Sequence, residues 1–487
     1  MHDIVAPRNS CITRRWVQYA GAISASLVIF TSGMHFVWVS ASLPKLYAND
    51  SIIPLSVDEG SWVASMELFA DLPGAPLGAF CADYFGRRRG LLLTGLPYFI
   101  GWVMIALATN VPTLLVAKFL VGVADGSTYT ILPMFIGEIA EDDIRGKLGN
   151  CMTVMLDLGS LFLYSVAPWI PIRTMALIAM IIPVLFFATF WWIPETPYYL
   201  LMIKKRDKAK KSLQQYRGLA NVDAEFEDMS NIVDCQMSET SNWSDLIKNK
   251  AYFKGMVIMF GLKTMQMMSG IFAVQVFAEL IFSKAGGFFS GSISAIIFGA
   301  AQFLSGFFAM LIVDKVGRRP LLIISSIGCC IALTGQAVYF YIQFHEIMDL
   351  EAYGWVPVTA LMIYIIMYSV GLGAIPLMVP SEMFPTNIKA KALCITDLYL
   401  AMLGFLIVQF YQIVANKYGS HVPFIIFALS CVFGVFFTIF IMPETKGKSL
   451  EDIQNMLRKT KEVKNLVEKP EKSKSPTSEA SISQSSL

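Results

Sequence analysis

Charge is scarce in this 487-residue chain: Asp, Glu, Lys and Arg together make up 15% of it, where a soluble domain carries about a quarter. The net charge is only +2, too little for a nucleic-acid surface, so no nucleic-acid partner is expected. Histidine is scarcer still, with four scattered copies, and no Ser/His/Asp set accompanies them. The cysteines (Cys11, Cys81, Cys151, Cys235, Cys329, Cys330, Cys394 and Cys431) show neither metal-ligand spacing nor a disulfide framework. These absences argue against an enzyme, and no cofactor or metal is expected. A phosphate-cradling loop is missing too: Gly447-Lys448-Ser449 matches the end of one, but Met442 stands where its first glycine is required. No cleavable leader pattern precedes the first apolar block, which is long enough to span a membrane and stay.

What the chain has instead is apolar length. Hydrophobic residues make up 55% of it, arriving in blocks of about 20, the length of helix that crosses a bilayer. The blocks are apolar around their whole circumference, not along one stripe. Twelve spans are expected at 17–43, 61–82, 91–109, 112–136, 148–170, 174–193, 253–282, 289–313, 321–344, 355–379, 392–415 and 422–442. The fold class is therefore an all-α membrane protein of twelve transmembrane helices in two pseudo-symmetric six-helix bundles, 16–193 and 253–442. Residues 1–15 form a short terminus, 194–252 a loop with short amphipathic helices, and 443–487 a tail whose Ser-, Lys- and Glu-rich end is largely disordered.

Basic residues orient the chain. Arg8, Arg14, Arg15, Arg87, Arg88, Arg89, the lysines of 204–211, Lys315, Arg318, Arg319, Lys389 and Lys391 all fall in segments on one side. The other side offers Lys45, Arg173, Lys284 and Lys417. By the positive-inside rule both termini and the central loop are cytosolic. Asn49-Asp50-Ser51 is then a glycosylation sequon in the first outward loop, on Asn49.

The two halves repeat one another in three places. Asp83-Tyr84-Phe85-Gly86-Arg87-Arg88 joins spans two and three, and Asp314-Lys315-Val316-Gly317-Arg318-Arg319 joins spans eight and nine. Glycine permits the reversal, and the arginines anchor at headgroups. Glu138 and Arg145 bracket the turn between spans four and five, as Glu382 and Lys389 do between ten and eleven. Each half ends on Pro-Glu-Thr, carrying Glu195 and Glu444. Duplication at equivalent positions is the signature of a repeat, not of chance.

With these motifs, and with Ser40-Ala41-Ser42-Leu43-Pro44-Lys45-Leu46, Gly60-Ser61-Trp62-Val63-Ala64-Ser65 and Pro133-Met134-Phe135-Ile136-Gly137-Glu138-Ile139, the chain resembles the sugar porter branch of the major facilitator superfamily over about residues 20–455. Within that branch it looks most like the insect facilitated trehalose transporter group. The resemblance implies a plasma-membrane carrier of a small solute, functional as a monomer in the lipid bilayer, moving a trehalose- or hexose-class sugar by facilitated diffusion and alternating access. It also implies that cytosolic charges latch the inner gate in the outward-open state: Glu138 facing Lys389 and Arg145 facing Glu382, with Asp83, Arg87, Asp314 and Arg318 bracing nearby.

The implied solute site departs from the family's pattern. Span seven reads Gln266-Met267-Met268-Ser269-Gly270-Ile271-Phe272, keeping one glutamine and replacing the family's asparagine with Phe272. Thr153 stands where span five usually offers glutamine, and Leu377 where span ten usually offers tryptophan. Lys118 replaces the usual arginine of span four. Against these losses, Glu67, Asp71, Asp125, Asp157, Lys263, Glu279 and Asp397 place charge in or near spans, where it is costly. Asp125 and Lys263, on cavity-lining spans, are expected to meet across the cavity. A cavity retuned for a charged solute or for proton coupling, and a transport-poor sensor, stand as alternative readings.

Overall fold

The computed structural model describes residues 8–238, 244–286, 289–384 and 386–446, with isolated positions up to 457. Its first half comprises α1 (Arg8–Leu46), α2 (Val57–Tyr84), α3 (Arg87–Leu107), α4 (Val111–Ile139), α5 (Asp142–Val166) and α6, which runs Ile172–Ala179 and continues as Ile181–Phe190. The second half repeats the plan. α7 is built of Lys250–Met268, Ile271–Val276 and Ala278–Ala285, followed by α8 (Gly291–Val316) and α9 (Arg318–Phe344). α10 runs Val356–Tyr368 and Ile375–Met383 about a π-helical turn at Ser369–Gly373, and α11 (Thr386–Tyr418) and α12 (His421–Phe440) complete it. Between the halves, Pro197–Met202, Arg206–Arg217 and Asp223–Ser238 bury Leu201, Ala209, Leu213, Val222, Phe226 and Val233 against one another.

Among the described residues, eleven helices are long and apolar enough to cross a membrane. The remaining one of the twelve is α2, whose Glu67, Asp71 and flanking acids lower its hydropathy. Its 28 residues rise about 1.5 Å each, enough to span. The outer faces stay apolar: Phe433 and Phe440 are 73% and 79% exposed, an arrangement suited to lipid.

Two spans of the second half expected as single helices are broken. α7 interrupts at Ser269-Gly270, where Gly270 takes a φ of +84°, and α10 widens into its π turn. Backbone freed inside a membrane is tolerated only where protein or a cavity satisfies it. Here Tyr364 of α10 donates its hydroxyl to the Ser269 carbonyl at 3.0 Å. Within the first half, α2 and α4 pack backbone to backbone: a Cβ on Gly122 would lie 2.1 Å from the Glu67 carbonyl oxygen, and one on Gly126 2.5 Å from that of Asp71. Small residues make that approach possible.

The halves meet at the end opposite the arginines. Tyr164 donates to the Gln275 carbonyl at 2.8 Å, and the Glu279 amide donates to Ser40 at 3.0 Å. The Gln409 amide reaches Ser65 at 2.7 Å, and that of Gln412 reaches Tyr47 at 3.3 Å. The ion pairs described at the basic end stay within the first half and its loop, among them Arg15–Glu141 at 2.5 Å and Arg87–Glu138 at 2.8 Å. The seam is thus closed on one side by contacts that cross it, while the ties described at the basic end lie within each half.

Candidate solute site and gate

Midway along the seam a side-chain bond crosses between the halves and continues into the second. Gln302 of α8 donates to the Asp157 carboxylate of α5 at 2.7 Å, and Gln275 of α7 donates to Gln302 at 2.9 Å. Asp157 is buried, so its charge is met by an amide from the opposite half. A polar chain inside a low-dielectric wall must be fully paired or it is costly. Gln266 lies beside the break of α7 and donates to the Gly373 carbonyl in the π turn at 3.4 Å, leaving its own buried carbonyl oxygen without a donor. π turns and broken helices recur where membrane carriers bind solutes.

Of the residues expected at the site, Gln266 and Phe272 lie along this seam. Phe272 meets Phe36 of α1 edge-on, with ring centroids 5.2 Å apart, and packs over Gly404 of α11. Thr153 and Leu377 are exposed. Asp125 and Lys263 are not brought together. Asp125 accepts from Tyr98 within the first half, while buried Lys263 pairs with Asp397 of α11 at 3.5 Å within the second. Each charge is met by its nearest bundle neighbour, which is the less costly arrangement for a buried ion.

The doubled turns are built alike. Gly86 and Gly317 take φ of +99° and +110°, a region that admits glycine readily. Glu195 accepts from the Arg88 amide at 2.9 Å, and Glu444 from those of Arg318 and Arg319 at 3.1 and 3.0 Å. Each Pro-Glu-Thr glutamate therefore caps the third helix of its own half, α3 or α9, at the N-terminus, whose N–H groups would otherwise lack partners. The Arg88 and Arg319 guanidiniums donate to the Trp191 and Ile439 carbonyls.

Arg87 binds Glu138, its own neighbour Asp83 at 3.6 Å and the Ala82 carbonyl at 3.0 Å. Glu138 also accepts from Thr196 at 2.5 Å. In this state Glu138 is therefore bound within its own half and not to Lys389, which is half-buried on α11. Arg145 is exposed at the start of α5, and the side chains of Asp314 and Glu382 lie outside the described residues. Asn49 is exposed in the loop between α1 and α2.

The family described as "Sugar (and other) transporter" matches residues 11–457 of this chain. The chain belongs to the sugar transporter family. The facilitated trehalose transporter Tret1 of Apis mellifera ligustica is 32% identical over 464 residues, covering 94% of this chain and 92% of that relative. The Aedes aegypti Tret1 is 32% identical over 448 residues, 91% of this chain but only 55% of that longer relative. Among solved structures, the inward-open xylose transporter XylE from E. coli has a TM-score of 0.76 at 22% identity, covering 90% of this chain and 99% of that one, which shows the shared fold.

In this sugar transporter the seam carries polar groups that the family's motif positions do not reveal. Gln275, Gln302, Gln409 and Gln412 were missed because a single amide in an apolar run has no spacing signature, whereas Asp157 stood out in the sequence as a charge within a span. Their cost inside a span is the one signal that singles them out.

Proposed function

We propose that this chain carries a trehalose- or hexose-class sugar across the plasma membrane by facilitated diffusion, rocking its halves about the seam as a monomer. Both termini and the basic end face the cytosol on this reading, in accord with the positive-inside count, and Asn49 carries the glycan outside. The observation that carries the reading is the Gln302–Asp157 bond, which joins the halves at 2.7 Å and is extended inside the second half by Gln275, 2.9 Å from Gln302. When the halves part, Asp157 and the Gln302 amide lose one another, and buried polar groups left unpaired cost about 1–3 kcal/mol each. A sugar's hydroxyls both donate and accept, so they replace those partners. Gln266, with its undonated carbonyl oxygen, supplies a further acceptor, and Phe272 an apolar wall for the ring's face. Thr153 and Leu377 are the further positions assigned to the cavity wall. Asp125 and Lys263 hold their bundles in shape.

The gate follows from the same motion. As the outer seam opens, the basic ends close, and Glu138 and Arg145 come to face Lys389 and Glu382. Arg87, already bound to Glu138 at 2.8 Å, holds that carboxylate ready.

Uptake of labelled trehalose and glucose into proteoliposomes tests the reading. Saturable uptake above empty vesicles is expected, with Gln302→Ala weakening apparent affinity by about ten- to a hundredfold, the equivalent of one or two lost hydrogen bonds. No saturable uptake of any mono- or disaccharide would exclude it.

A further inference from the structure

Away from the seam, the basic end of the first half carries a groove that sugar binding does not use. It holds about 700 Å³ between α1 and the end of α6, within the range of ordinary small-molecule sites, about 300–1,000 Å³. Trp16, Ala20 and Leu27 form one wall, Ala188 and Trp192 the other, and Gln215 of the Arg206–Arg217 helix also lines it. These walls offer a ligand little but hydrocarbon. Ser24 and Thr189 lie along them too, but their hydroxyls donate to their own helices, to the Ala20 and Leu185 carbonyls at 2.6 and 2.8 Å. Trp16 and Trp192 are 61% and 84% exposed, as indoles are at a membrane–water interface.

The rim at Gln215 is positively charged. The buried side of the Arg206–Arg217 helix is fixed to the first half. Tyr216 donates its hydroxyl to the Pro194 carbonyl at 2.7 Å, Ser212 donates to the Glu195 carbonyl, and Gln18 of α1 donates to the Tyr216 carbonyl at 3.0 Å. On its exposed side, Lys211 and Lys208 stand one and two turns before Gln215 and so share its face. The other cations nearby are neutralised. Arg206 pairs with Glu227, Lys210 with Asp223 and Arg217 with Glu225, while Arg15, beside Trp16, pairs with Glu141 and Asp143. Lys208 and Lys211 make no ion pair among the described residues.

We propose that this groove binds a single anionic phospholipid, which lays an acyl chain between α1 and α6 and sets its headgroup at Lys208 and Lys211. The occupant follows from both ends of the groove. Apolar walls without hydrogen-bonding partners hold water poorly, so on the outer face of a membrane carrier hydrocarbon fills them. Two unpaired lysines at the rim select negative charge in the headgroup, each contributing about fivefold near a membrane surface. The bound lipid rests against Pro194-Glu195, whose carboxylate caps α3, and so ties the bilayer to a joint of the first half.

Native mass spectrometry of the full chain in detergent, titrated with dioleoyl phosphatidylserine or dioleoyl phosphatidylcholine, tests this. It needs no sugar, so it is independent of the transport reading. Wild type is expected to retain one phosphatidylserine about tenfold or more tightly than phosphatidylcholine. With Lys208→Ala and Lys211→Ala together, both at the surface, the two lipids are expected to bind within about twofold of each other. Ala188→Phe, which fills the groove from an exposed position, is expected to abolish retention of both. Equal retention of the two lipids by wild type, an undiminished preference in the double-lysine variant, or undiminished retention in Ala188→Phe each overturns the proposal. Displacement of the lipid by chain-free glycerophosphoserine at matching concentration also overturns it, because the lysines would then serve a soluble anion.

Discussion

The two halves share their turns and differ in their interiors. At the basic end the copies are nearly superposable in chemistry: a positive-φ glycine, a glutamate accepting helix N–H groups, and an arginine donating to a carbonyl at the end of the half's sixth helix. Inside, the first half buries Glu67, Lys118 and Asp125, whereas the second buries Lys263 against Asp397 and sets amides and hydroxyls such as Gln266 and Ser269 beside two interrupted helices. Parts that move as rigid levers need the same joints. Uncharged hydrogen-bonding groups gather where the helices of the second half break, and the unbroken, glycine-packed α2–α4 pair of the first holds the buried Glu67–Lys118 ion pair.

The most damaging single change should strike the charged interior. Lys118→Met leaves Glu67 buried beside two other carboxyls without a counter-ion, and such a change costs about 3–5 kcal/mol. Thermal unfolding in detergent should show the loss. Adding Glu67→Gln should recover part of it, because the uncompensated charge goes too. A double variant no more stable than the single would show that Lys118 matters through packing, against Trp38 at 5.1 Å for instance, and not through charge.

The seam should respond in transport and not in folding. Asp157→Asn removes the charge that Gln302 meets at 2.7 Å but keeps the shape, so its expected effect is a several-fold change in apparent affinity with unaltered melting, about 1 kcal/mol. Uptake titrations paired with melts separate the two. For the gate, exchanging Glu138→Lys with Lys389→Glu should restore part of the transport lost in either single variant. Rescue absent in the double would leave Glu138 with only the role this state displays, its bond to Arg87.

Much of this architecture was legible before any coordinates. Apolar runs of membrane-spanning length located all twelve helices, because length and hydropathy are local properties. The three doubled motifs marked the repeat, since duplication is visible without knowing what each residue touches. Partners were less legible. Asp125 and Lys263 looked like a pair because both sit on cavity-lining spans, but each found a nearer charge or hydroxyl in its own bundle, and lateral neighbours are not encoded in spacing. Glu138 offers a different lesson: the resemblance implied Lys389 as its partner, whereas in this structure it binds Arg87 and Thr196 beside its own half. The break in α7 was within sight at Ser269-Gly270, yet a glycine in an apolar run marks a packing site as readily as a break. Only the +84° φ of Gly270 decides between them.

The finest test of the comparison lies in the caps. Glu195 takes one amide of α3, from Arg88, and a second from Thr196 at 3.1 Å, whereas Glu444 takes two of α9, from Arg318 and Arg319, and a further one from Lys446 at 2.9 Å. If the turns work as caps, Glu444→Ala should cost about 1 kcal/mol or somewhat more and Glu195→Ala about half that. The ordering can be read from paired melts. Acidity offers an independent check on Glu444. Burial alone would raise its titration point, but the converging amides of Lys446, Arg319, Arg318 and Thr445 outweigh burial and hold the carboxyl below its ordinary value. A group depressed in the folded state contributes its stability above the unfolded value, about 4.3 for glutamate, and loses it as pH falls through the lower folded one. Exchange protection at the Arg318 and Arg319 amides, corrected for intrinsic rates, should therefore hold at neutral pH and decline only below about pH 4. In Glu444→Gln, which has no carboxylate to protonate, protection should be weaker throughout and flat across that range. A decline of equal size in both proteins would assign the acid sensitivity to another group and leave Glu444 a neutral hydrogen-bond acceptor.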